Sequence, residues 1–130
     1  MRGKQRPRMT RGGHVYTPTE TRLAEAKVAK LAREAMGHRM PMSGAVALNI
    51  IVLTEPPKSA GKAEREQMLT GLKYPTKKPD LDNIIKLISD AMNGIVYLDD
   101  KQIIFLSVLK QYAAEARTIV QVGPLAEISR

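Results

Sequence analysis

Apolar positions in this chain follow two periods, and the switches between them predict most of its elements. From Thr17 to Gly37 the spacing is helical: Ala24, Val28, Leu31 and Ala35 form one stripe, with Arg22, Lys27, Lys30 and Arg33 off it. The helix start is well marked. Thr17 can cap, Pro18 takes the first helical position, Glu20 completes a capping box, and Gly37 ends the run. Residues 45–54 (AVALNIIVLT) are almost continuously apolar and rich in β-branched side chains, which reads as a buried strand stopped by Pro56-Pro57. Helical spacing returns at Leu81, Ile84, Ile85, Ile88 and Met92, and Gly94 stands where a left-handed residue would close the helix. Ile95–Leu98 reads as short and extended. Residues 103–112 and 117–122 read as two strands joined in a hairpin by the AAEA stretch. Residues 58–78 are polar and basic, a mobile excursion with room for one short helix. The expected architecture is a single small α/β (α+β) domain over residues 1–130, a mixed or antiparallel sheet packed by two main helices.

Composition narrows the function classes. No apolar run approaches the roughly 18–20 residues that span a bilayer, and the basic N-terminus lacks the apolar core of a secretory signal. There is no cysteine, so neither a disulfide framework nor a Cys-based zinc site exists, and His14 and His38 stand too far apart in sequence to form a ligand motif. The expected compartment is the cytoplasm. The formal net charge is +8, and its distribution is uneven. Residues 1–40 hold ten Lys/Arg against three Glu, and residues 58–78 hold six against two. Residues 1–13 (MRGKQRPRMTRGG) space their bases roughly every other position, as a basic arm or edge strand facing phosphates would.

Against that background, all five aspartates fall between Asp80 and Asp100. Short carboxylates gathered in one segment of a basic chain suggest a hard divalent cation facing a polyanion. Asp80 and Asp82 flank the start of the second long helix, where residues two apart in extended backbone project to one side, and Lys86 follows Asp82 by one helical turn. A helix over residues 81–93 climbs roughly 20 Å. Residues 94–100, if extended, return roughly 23 Å, so an antiparallel return would bring Asp99-Asp100 beside Asp80 and Asp82. Carboxylates so close raise each other's pKa, a penalty that Mg²⁺ or Mn²⁺ would remove and Lys86 would reduce. Plainer roles exist for each residue alone: Asp80 as a helix cap, Asp82 favoured by the helix dipole, Lys86 paired on the surface with Asp82 or Asp90, Asp99-Asp100 as a turn. An EF-hand does not fit, because Ile84 and Ile85 occupy positions that need a ligand and a glycine.

The stretch KPDLDNIIKLISDAMNGIVYLDDKQI, residues 78–103, resembles the signature of RusA-type Holliday junction resolvases. Lys4-Gln5-Arg6-Pro7-Arg8, Gly13–Pro18 and Pro56–Ser59 resemble the family's upstream segments, so the likeness spans almost the whole chain. The resemblance implies a small RusA-like homodimer that binds four-way DNA and nicks opposing strands symmetrically, leaving 5′-phosphate and 3′-hydroxyl ends. It implies Mg²⁺ held by Asp80, Asp82 and Asp100, with Mn²⁺ as a substitute, and a lysine, Lys86, that supports cleavage. Asn83, Asp90 and Asp99 match the pattern as supporting residues. Family members usually place an apolar strand ahead of the basic segment in which this chain begins.

The expectation is therefore a Mg²⁺-dependent, structure-selective endodeoxyribonuclease with no small-molecule cofactor and no membrane partner. Lys4, Arg6, Arg8, Arg11, Lys77 and Lys78 are the candidate phosphate contacts, giving salt-sensitive affinity with little base readout. A non-catalytic junction-binding protein is the rival; it would keep the basic patches without needing the carboxylates. A general RNA-binding protein is a third reading, weakened by the lack of an aromatic stacking motif.

Overall fold

β1 (Val46–Thr54) forms the middle of a three-stranded sheet, and its apolar sequence accounts for much of the architecture. In this computed structural model, which describes residues 18–77 and 79–125, β2 (Ile103–Tyr112) pairs with one edge of β1 in parallel. β3 (Arg117–Pro124) pairs with the other edge antiparallel. Three α-helices accompany the sheet among the described residues: α1 (Pro18–Met36), α2 (Lys62–Leu69) and α3 (Leu81–Ala91). The mixed sheet packed by α1 and α3 is the α+β arrangement expected from the sequence.

One expectation fails at the sheet. The last two strands do not form a hairpin with each other, because β1 lies between them. β1 needs a partner for its backbone groups on each edge, and the last two strands supply one apiece. Residues 113–116 cross the end of β1, where the Ala113 N–H donates to the Thr54 carbonyl at 2.9 Å.

Alternation along β1 sends Val46, Leu48, Ile50 and Val52 to the helix side, where they form the core with Met36, Ile88, Met92, Val96 and Tyr97. The amphipathic face of α3 supplies Ile84, Leu87 and Ile88 to it. α1 is turned from the expected stripe. Ala32 and Met36 meet the core, whereas Leu31 is 55% exposed. Small side chains at Ala29 and Ala32 let α1 lie near α3, which favours that face over the one bearing Leu31.

The segment after α3 decides the site geometry. Gly94 adopts φ 76, a conformation that costs glycine nothing, and its N–H donates to the Tyr97 carbonyl at 2.7 Å. Tyr97 is fully buried, bridges Met42 and Asn93, and donates its hydroxyl to the Ser89 carbonyl at 2.7 Å. Ile95–Leu98 is thus a tight reversal and not the extended run expected. A 3-10 turn, Asp100–Gln102, then leads into β2.

Candidate metal and DNA site

Asp80 is the N-cap residue of α3, with extended backbone (φ −71, ψ 146) and no capping hydrogen bond from its side chain. Its carboxylate is exposed and not used to hold the helix together. Asp82 follows in the first turn, also exposed, and Asn83 is exposed beside it. Lys86 lies half-buried one turn further along α3. Asp80 and Asp82 both stand at the end of the helix where the free peptide N–H groups carry the positive pole of the dipole.

The approach to Asp80 is fixed from the sheet. Lys110, near the far end of β2, donates through Nζ to the Lys77 carbonyl at 2.6 Å and to the Pro79 carbonyl at 3.1 Å. Lys77 itself is exposed, as a phosphate contact requires. Lys4, Arg6, Arg8, Arg11 and Lys78 lie outside the described residues, as does the Thr17 cap. In the basic excursion, α2 is followed by Lys73, which pairs with Glu64 at 3.3 Å, and Arg65 donates to the Pro57 carbonyl at 3.4 Å.

The other three aspartates meet at the opposite end of α3. Burial, then hydrogen bonds with the Asp99 and Asp90 side chains and the charges of both, hold the Asp100 carboxyl above the ordinary carboxylate range. Beneath them, burial and the charges of Asp100, Asp90 and Asp99 push the Tyr97 phenol well above its usual value, so it stays a neutral donor.

Within one chain the acids therefore form two groups. Asp80 and Asp90 are separated by ten residues of helix, about 15 Å. β2 runs back along α3, since Lys110 reaches the start of that helix while the Asp100–Gln102 turn leads into the other end of the strand. Among the described residues no three His, Asp or Glu side chains are arranged to hold one metal ion. The antiparallel return expected for Asp99-Asp100 does not occur, because the chain reverses at Gly94 and stays at the end of the helix. Asp90, Asp99 and Asp100 are brought together, while Asp80 and Asp82 stand at the other end of α3.

Two side chains at this site escaped the sequence reading. Lys110 gave no signal, since its partners are backbone carbonyls more than thirty residues away in sequence. Gln102 had one: Asp99-x-x-Gln102 has capping-box spacing, and its amide receives the Leu98 and Asp99 N–H groups at 2.9 Å each. No helix among the described residues is long and apolar enough to cross a membrane.

Comparison with known proteins bears on this arrangement. The family model described as endodeoxyribonuclease RusA matches residues 1–123. The chain is also 33% identical over 111 residues to the uncharacterized protein YqaN of Bacillus subtilis, covering 84% of this chain and 78% of that protein.

Proposed function

The chain belongs to the RusA family of endodeoxyribonucleases, hydrolases that act on branched DNA, and from this we propose that it resolves Holliday junctions by paired symmetric nicks as a Mg²⁺-dependent homodimer. The observation that carries the reading is the concentration of all five aspartates on α3 and the turn that follows it, in a chain of net charge +8. Donor chemistry fits the ion. The acids offer hard carboxylate oxygens, the chain has no thiol, and Asp80 spends no hydrogen bond on its helix.

Asp80, Asp82 and Asp100 would hold the cation. A twofold dimer resolves the separation seen in one chain: it sets Asp80 and Asp82 of one copy against Asp100 of the other, twice over. Two equivalent sites then match two equivalent cuts. When bound, the cation supplies charge stabilisation at the phosphate and acidifies the attacking water.

The remaining chemistry belongs to the chain. Lys86 presents an ammonium one turn from Asp82, countering the acid pair and meeting a phosphate oxygen. Asn83, Asp90 and Asp99 support the ligands. Lys77 and Lys78, with Lys4, Arg6, Arg8 and Arg11, bind the DNA backbone, so affinity falls with salt and depends on shape more than base sequence.

The test is nicking of a synthetic four-way junction in Mg²⁺ and in EDTA. Wild type should cut only with the metal, and Asp82→Asn should lose about a hundredfold or more in rate while still binding the junction. Equal cutting by both proteins would falsify the metal assignment. Binding without cutting by wild type would favour the non-catalytic rival.

A further inference from the structure

We infer that Gln102 is a positioning residue for the acidic turn, fixing Asp100 where it can serve as a metal ligand; this rests on the nuclease reading above. Its amide is fully used. Oε1 accepts from the Leu98 and Asp99 N–H groups, each at 2.9 Å, and Nε2 donates to the Met42 carbonyl at 2.8 Å and the Gly44 carbonyl at 2.9 Å. One side chain thus ties the peptides just ahead of Asp100 to the segment that enters β1 two residues later.

The tie bears directly on the acids: the Asp100 carboxyl hydrogen-bonds with the Asp99 and Asp90 side chains, and an outward movement of the turn would part that group. The ends of the clamp are unequal in what they need. Leu98 and Asp99 require an acceptor with two lone pairs, Met42 and Gly44 two donors, and a primary amide supplies this set without charge. A carboxylate here would keep the acceptor, lose the donor and add a further negative charge. Gln102 is adjacent to the sheet through Ile103, which pairs with Val46, so the turn inherits the rigidity of β1.

The experiment compares wild type, Gln102→Met and Gln102→Glu in five measurements: Mn²⁺ binding without DNA, by loss of the free-ion electron paramagnetic resonance signal; junction binding in EDTA; nicking across a metal titration; thermal melting; and amide hydrogen exchange. Gln102→Met should raise the Mn²⁺ dissociation constant about tenfold and shift the nicking midpoint equally, with nicking near wild type at saturating metal and junction affinity unchanged. A purely structural role would lower the melting temperature and leave the metal midpoint in place, which overturns the inference. Gln102→Glu should restore protection of the Leu98 and Asp99 amides, because it keeps the acceptor, while it loses the donor to the Met42 and Gly44 carbonyls. Hydrogen exchange on wild type needs no variant to fold: those two amides should be protected, more so with Mn²⁺, and free exchange would sink the clamp. If wild type binds no Mn²⁺, the nuclease reading itself has failed and this inference goes with it.

Discussion

Asp100 carries an electrostatic load that can be read as stability. Its folded-state pKa is raised by burial and by its Asp99 and Asp90 neighbours, so the folded chain keeps the proton to higher pH than the unfolded chain does. Stability from this group is therefore complete below the ordinary carboxylate value and falls as pH rises from there through the raised value. Asp100→Asn removes the ionisation. Its melting temperature should exceed that of wild type at neutral pH, and the two should converge near about pH 4. Mg²⁺ should stabilise wild type at neutral pH and have little effect on the variant, because only a ligand that prefers the folded state shifts the equilibrium. A variant less stable than wild type at neutral pH would contradict the crowding. Tyr97 contributes differently, as a buried donor to the Ser89 carbonyl that is neutral at the pH of these melts. Tyr97→Phe should cost about 1 kcal/mol, about 4 °C in thermal melts, without a change in metal midpoint.

At the scale of elements, β2 links the two acidic groups. One end follows the turn that Gln102 ties down, and the other carries Lys110, whose ammonium holds the Lys77 and Pro79 carbonyls ahead of Asp80. Lys110→Met keeps the apolar stem and removes both hydrogen bonds; junction nicking should fall about tenfold, with junction binding in EDTA within a factor of about two. Unchanged nicking would mean that the Asp80 approach is fixed by other contacts. Much of this element was readable in advance. The β1 run and the α3 stripe are local patterns, and Gly94 was recognisable as the helix stop. What spacing could not convey was path. Residues 94–100 are long enough to return to Asp80, but length says nothing about a reversal held by the Gly94–Tyr97 hydrogen bond. Likewise the hairpin expected from two strands and a short link ignored the demand of β1 for a neighbour on each edge. The acidic residues were therefore legible as a set, while their division into two groups depended on contacts distant in sequence.

For the whole molecule, that division turns the proposed dimer into a question of genetics by mixture. Combine two inactive proteins, Asp82→Asn and Asp100→Asn, under conditions that let subunits exchange. If each site draws Asp80 and Asp82 from one copy and Asp100 from the other, a mixed dimer holds one site with both substitutions and one with neither. Random exchange makes about half the dimers mixed, so about a quarter of the wild-type number of sites should return. Those sites stand alone in their dimers. The mixture should therefore nick four-way junctions yet yield few doubly cut products, a separation that wild type does not show. If every site were built from a single copy, each variant would keep its defect in both sites and the mixture would stay inactive. That outcome would remove the shared-site arrangement and leave the metal assignment to stand or fall on Asp82→Asn alone. Recovery of nicking without paired resolution has no counterpart in a protein that merely binds junctions, which is why the mixture discriminates between the readings at the level where symmetry acts.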